Sequence, residues 1–214
     1  MKKICTLLLA AALLLALCAC GAQFTQESAA PAEPARSTES TGSAMPPEGS
    51  ALRHAEITIR DYGTVRLELD ASAAPITVAN FCALAQEGFY DGLTFHRIMD
   101  GFMIQGGDPS GNGTGGAKTT IRGEFAQNGV DNPISHVKGV ISMARAGDPN
   151  SASSQFFITV ADATFLDGAY AAFGHVTEGM EIVEQIAKDA QPIDNNGTIP
   201  ADAQPVIESI VITD

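Results

Sequence analysis

Short apolar runs punctuated by glycine set the first limit on this chain: LTFHRIM (93–99), GFMIQG (101–106), GVISMA (139–144), SQFFITV (154–160), AAFGHV (171–176) and VIESIVIT (206–213). Each is too short for an ordinary helix and suits a pleated, largely buried strand. Two earlier runs, AEITIRD (55–61) and TVRLELD (64–70), alternate apolar and polar residues around Tyr62-Gly63, as a half-buried hairpin does. Helical spacing occurs twice. After Pro75, the residues Val78, Phe81, Cys82 and Ala85 share one face and Gly88 is placed to stop the helix. In GMEIVEQIAKDA (179–190) the same spacing joins Met180, Val183, Ile186 and Ala187. Many short strands and two helices predict a mainly β fold, a sheet that closes into a barrel capped by the helices. The absence of Trp and the 21 glycines agree with strands joined by tight turns.

The first residues do not belong to that fold. MKKICTLLLAAALLLALCAC opens on Lys2 and Lys3 and continues with an apolar stretch too short to span a bilayer comfortably, the pattern of an export signal. Its end, Leu17-Cys18-Ala19-Cys20, resembles a bacterial lipobox, in which the chain is cut before a cysteine that becomes acylated. Cys20 fits, with Ala19 before it and Leu17 three positions back; Cys18 does not, because bulky Leu17 precedes it directly. The expectation is a signal peptide over 1–19 and lipid on Cys20. From there to residue 54 the composition turns to Pro, Ser, Thr, Glu and Ala, which cannot build a core. Roughly thirty such residues span on the order of 30 Å when flexible, so the segment reads as a tether. The globular domain is expected over 55–214, in a monomeric, extracytoplasmic, membrane-anchored protein.

Charge and cysteine content exclude other classes. A net charge of −13, with the 12 Lys and Arg scattered, repels nucleic acid and anionic membrane surfaces. Of the four cysteines only Cys82 remains in the domain, so an internal disulfide is impossible; it reads as a small buried hydrophobe on the first helix. His54, His96, His136 and His175 lie far apart and show no metal-ligand spacing. GNGTGGAK (111–118) approaches a phosphate-binding loop, but Ala117 interrupts it and TTIRGEF follows where a helix should begin. No Gly-x-Ser-x-Gly elbow supports a serine hydrolase.

Arg97 is the odd residue among these strands, a permanent cation beside Phe95, Ile98, Phe102, Met103 and Ile104. FHRIMDGFMIQGGD around it, then GTGG (113–116), GVISMARAG (139–147), SSQFFIT (153–159), FLDGAYAAFG (165–174) and EGMEIVEQI (178–186), resemble in this order the cyclophilin family of peptidyl-prolyl isomerases. The resemblance spans 55–214 and implies an eight-stranded antiparallel barrel with two helices, acting on proline-containing polypeptides without a cofactor. Position by position it implies that Arg97 is the catalytic arginine, with Phe102 and Gln105 as its catalytic partners and His96 beside it. Met103, Phe157 and Leu166 would form the proline pocket with Phe102, Gln155 would flank it, and the substrate backbone would pass Ala144. Phe156, next to Phe157 on a strand, should point to the core. The chain departs from the family's best-known members at Arg145, Phe165 and Tyr170, where they carry Asn, Trp and His. All three fall on the rim that meets substrate flanks, so sequence preference should differ. A noncatalytic peptide-gripping module is the rival from another class, and an isomerase assay separates the two.

Overall fold

The computed structural model describes residues 51–214, so the signal peptide, Cys20 and most of the tether lie outside the described residues. Strand β1 (Leu52–Ile59) begins three residues before the expected domain start, with Leu52 already paired to Asp70 of β2 (Gly63–Asp70). The remaining strands are β3 (Phe95–Met99), β4 (Met103–Gly106), β5 (Val140–Met143), β6 (Phe156–Thr159), β7 (Ala172–Glu178) and β8 (Ile207–Ile212). They form one eight-stranded sheet in the order β3-β4-β6-β5-β7-β2-β1-β8, and every pairing is antiparallel.

The expected closed barrel is corrected here: the sheet is an open, curled half-barrel with β3 and β8 as its edges. The two edges meet through a single bridge, Thr94 to Val206, with flanking backbone bonds from Phe95 N to the Pro205 carbonyl and from Ile207 N to the Leu93 carbonyl. Pro205 has no N–H to extend a ladder. Further along β3 the place of a partner strand is taken by an irregular segment: Ile98 N donates to the Gly197 carbonyl, and Ile199 N donates to the His96 carbonyl.

Helix α1 (Pro75–Gln86) buries Thr77, Val78, Phe81, Cys82 and Ala85, the face anticipated from its spacing. Pro75 sits in the first turn, where its missing N–H costs nothing, and no residue next to it caps the helix. The cap comes from Glu124, itself buried, which accepts bonds from Ile76 N (3.0 Å) and Thr77 N (2.8 Å). Helix α2 (Met180–Asp189) buries Val183, Ile186 and Ala187, while Met180 is only partly covered. Between sheet and α1 lies an aromatic nucleus in which the Phe81 ring meets Tyr90 at 5.3 Å, Phe156 at 5.6 Å and Phe173 at 5.3 Å.

Cys82 is 6% exposed and burial pushes its thiol pKa up, so the reactive thiolate is scarce and sheltered. A thiol reagent should label it only after denaturation; rapid labelling of the native protein would contradict this packing.

Candidate active site

The register of four neighbouring strands sorts their side chains into two faces. Arg97, Gln105, Phe157 and Ser142 are direct partners in one row across β3, β4, β6 and β5. The adjacent row is Ile98, Ile104, Ile158 and Ile141, all essentially inaccessible and part of the main core. Because successive residues of a strand point to opposite faces, burying the isoleucine row turns the Arg97 row outward. Phe156 follows the isoleucines into the core, as expected, and Phe157 goes the other way. There Phe157 joins Met103, Ala163 and Leu166 in a second apolar cluster, against which Met99, Phe102, Ala144 and Tyr170 pack.

Above this cluster opens a cavity of about 430 Å³. Its lining includes the predicted residues His96, Arg97, Phe102, Met103, Gln105, Ala144, Arg145, Phe157, Leu166 and Tyr170. Gln155 lines an adjoining cavity of about 220 Å³, which shares Gln105, Ala144 and Arg145 with the first. Phe165 lines neither; it stands at the rim, 73% exposed, its ring 5.6 Å from that of Phe102.

Arg97 is held from three sides. Its Nε donates to the Asn196 carbonyl (2.7 Å), Nη1 to Gln105 Oε1 (3.0 Å) and Nη2 to Met99 Sδ (3.3 Å). Gln105 Nε2 donates to Gln155 Oε1 (2.9 Å), and Gln155 Nε2 donates to the carbonyls of Gly115 (2.7 Å) and Gly113 (3.2 Å). Since those carbonyls only accept, they fix which way Gln155 faces, and through it which way Gln105 faces. The oxygen turned toward Arg97 therefore follows from backbone geometry two residues away. Burial lowers the Arg97 pKa, yet a guanidinium stays charged at any physiological pH.

The Asn196 carbonyl is presented by a turn that Asp194 organises, its Oδ1 accepting from Asn196 N (2.9 Å) and Thr198 N (3.0 Å). Gly197 sits there at φ +86°, and a Cβ would lie 2.5 Å from Met99 Cγ and 2.6 Å from the Ile98 carbonyl. Only glycine fits that turn. On the opposite rim Asp108 Oδ2 accepts from Asn112 N (3.0 Å) and Gly113 N (2.6 Å), and its Oδ1 accepts from Ser110 N (2.8 Å), folding the glycine-rich loop over His96. Burial alone would raise the Asp108 pKa; these N–H groups outweigh it and lower the pKa.

The pocket floor is braced from beneath. The His136 ring stacks on Phe157 at 6.0 Å and 16°, with Nδ1 at 2.8 Å from Asp167 Oδ1 and Nε2 at 3.0 Å from Ser142 Oγ. The carboxylate only accepts, so Nδ1 carries the proton and Nε2 accepts from the Ser142 hydroxyl. Ser142, His136 and Asp167 follow the order of a hydrolytic triad, but Ser142 is 0% exposed and reaches no substrate. Arg145 is clamped between rings, its Cζ 5.1 Å from the Phe125 centroid and 4.9 Å from that of Tyr170.

Residues 54–213 match the family described as cyclophilin type peptidyl-prolyl cis-trans isomerase/CLD. The chain belongs to the cyclophilin family. It is a peptidyl-prolyl cis-trans isomerase. Peptidyl-prolyl cis-trans isomerase B of Bacillus subtilis is 46% identical over 129 residues, which cover 60% of this chain and 87% of that one. A peptidyl-prolyl cis-trans isomerase of Helicobacter pylori is 46% identical over 142 residues, covering 65% and 84%. A crystal structure of a cyclophilin type isomerase from Cryptosporidium parvum superposes with a TM-score of 0.67 at 31% identity, covering 76% of this chain and 98% of that one. A second structure of that protein, determined in the presence of the dipeptide Ala-Pro, gives 0.66 at 32%, covering 75% and 99%.

Sequence reasoning about this cyclophilin missed Asn112, Gly113 and Thr114 as lining residues, although the density of glycine there marked a close backbone approach. It also missed Asn196 and Thr198, for which the only signal was the turn dipeptide Asn196-Gly197. His136 and Asp167 carried no signal at all, being a lone histidine and a loop acid.

Two buried histidines make the domain sensitive to mild acid. Burial pushes the pKa of His96 below the ordinary 6.5, with Asp108 opposing and Arg97 assisting; neither ring nitrogen has a partner among the described residues. Burial also lowers that of His136, against the pull of Asp167. The unfolded chain therefore binds protons below 6.5 that the folded chain refuses, and stability falls as pH drops from that value. Asp108 and Asp167 are lowered too and Asp214 is held down to about 2, so their share persists above the ordinary 3.8 and is lost below it. Thermal melts across pH should show one decline of Tm beginning near 6.5 and another beginning near 3.8. A flat Tm between neutrality and pH about 5 would mean that both histidines titrate as in an unfolded chain.

Proposed function

We infer that this isomerase acts on X-Pro bonds of exported polypeptides, with Arg97 as the donor that recognises the transition state, while a lipid on Cys20 anchors it outside the cytoplasm. The observation that carries the catalytic part is the fixed guanidinium. Of its five N–H groups, three are taken by Asn196, Gln105 and Met99, the other two have no protein partner among the described residues, and Arg97 lines the cavity.

Rotation about an amide costs about 18–20 kcal/mol because conjugation must be broken. In the twisted state the prolyl nitrogen regains a lone pair that neither planar isomer offers. A donor aimed at that nitrogen therefore binds the transition state better than either ground state. Arg97 supplies it with a charge that no pH change removes. Phe102, Met103, Phe157 and Leu166 hold the ring and exclude water, which strengthens the bond by lowering the local dielectric. Gln105 orients the guanidinium, Gln155 orients Gln105, and Ala144 borders the path of the substrate backbone beside His96. Phe165, Tyr170 and Arg145 meet the residues that flank proline. The Ala-Pro dipeptide used with the Cryptosporidium relative supports a proline-bearing ligand for this groove.

The anchoring part rests on sequence: the basic and apolar start, Ala19-Cys20, and the Pro- and Ser-rich stretch after it. A tether of that length lets the domain reach chains emerging near the membrane.

Arg97→Ala should lower kcat/KM by about 10²–10³ with little loss of fold, and Arg97→Lys should recover only part, because it keeps the charge but not the planar fork. If the Ala variant isomerised a test peptide within about twofold of the parent, with unchanged circular dichroism, Arg97 would not be the donor. Independently, Cys20→Ser should move the protein from the membrane fraction to the soluble one; a variant that still sediments with membranes would overturn the lipid anchor.

A further inference from the structure

Arg145 lines both the main cavity and the adjoining one, so it stands where the two meet. The guanidinium is fully ordered by neutral partners. Nε donates to the Ala169 carbonyl (3.0 Å), and Nη1 donates to those of Ala146 (2.8 Å) and Gly147 (3.4 Å), while Phe125 and Tyr170 cover its faces. Nη2 makes no hydrogen bond among the described residues. Elsewhere on the domain Arg53, Arg60 and Arg66 are paired with carboxylates; Arg97, Arg145 and, outside both cavities, Arg122 are not, among the described residues. The contrast extends to the walls. Neither cavity is lined by a single Asp or Glu, in a chain with 25 of them and a net charge of −13. The groove is thus a cationic strip in an acidic protein, and both of its arginines have neutral partners only among the described residues.

We propose that Arg145 is a specificity-determining residue that favours substrates carrying a carboxylate side chain, Asp or Glu, next to the prolyl bond; this rests on the isomerase reading of the same groove. A clamped guanidinium has already lost most of its rotamer freedom, so pairing with a carboxylate costs little further ordering. Its planar donors match a carboxylate, whereas an ammonium on the substrate would meet an uncompensated like charge. The same distribution of charge repels acidic chains from the outside and admits them at the groove, which turns orientation as well as affinity to the enzyme's use.

The test compares proline peptides that differ at one flanking residue, Ala, Glu or Lys, placed in turn before and after the X-Pro pair, with the full chain at low salt. At one or more of these positions Glu should raise kcat/KM about threefold to tenfold over Ala, and Lys should lower it, the range expected for a partly exposed ion pair. Added salt should flatten the order, since an exposed pair is screened. Arg145→Gln should erase the order whatever its absolute rate, and Arg145→Lys should keep it. Because Arg145 also braces Tyr170, the salt titration on the parent and the Lys variant keep the test independent of any folding defect in the Gln variant. Equal kcat/KM for Glu and Lys peptides at every position, or an order that survives in Arg145→Gln, would overturn the proposal. Failure to isomerise even the Ala peptide would instead overturn the isomerase reading.

Discussion

The pleat of β3, β4, β6 and β5 is the constraint on which everything else rests. One row of isoleucines enters the core, and the next row, from Arg97 to Ser142, is thereby committed to the other face. A slip of one residue anywhere in that register would drive a guanidinium into the core and lift isoleucine into the groove. The hydrophobic effect so fixes the position of a cation it never touches. Strand β4, only Met103 to Gly106, carries the heaviest share: it pairs on both sides and contributes Met103 and Gln105 to the groove.

Within that frame the polar groups are oriented by backbone carbonyls. Gly113 and Gly115 set Gln155, which sets Gln105, which together with the Asn196 carbonyl sets Arg97. Carbonyls cannot change protonation state or flip, so the chain of amides has one consistent arrangement. A partly buried cation is costly unless its N–H groups are satisfied. Three satisfied donors reduce that cost, and the residue that keeps the unsatisfied remainder lines the cavity.

Much of this was legible in the sequence, and the gaps have physical causes. The runs from LTFHRIM to VIESIVIT became strands, both helices buried the expected side chains except Met180, which is only partly covered, and the opposite fates of Phe156 and Phe157 followed from a period of two. Most of the pocket was readable because Arg97, Phe102, Gln105 and Phe157 sit in recognisable runs. What failed was long-range and backbone-borne. Glu124 caps a helix whose start lies 47 and 48 positions away, and no local pattern reveals such a partner. Asn196 acts through its carbonyl, which every residue type possesses. The sheet's opening between β3 and β8 follows from Pro205 and a turn that competes for the strand edge, an outcome decided by pairing alternatives that no apolar count distinguishes.

That opening has a mechanical meaning. Met103 and Phe157 of the pocket floor stand on inner strands, each laddered on both flanks, while Arg97 stands on an edge strand whose outer flank is held by a turn. Edges breathe at lower free energy than interiors. On the proposed reading of the groove, the grip on the proline ring and the aim of the guanidinium therefore belong to separate units of local stability. On that same reading, heat or denaturant would loosen the aim first and leave the grip, turning a catalyst into a holder of proline before the domain unfolds.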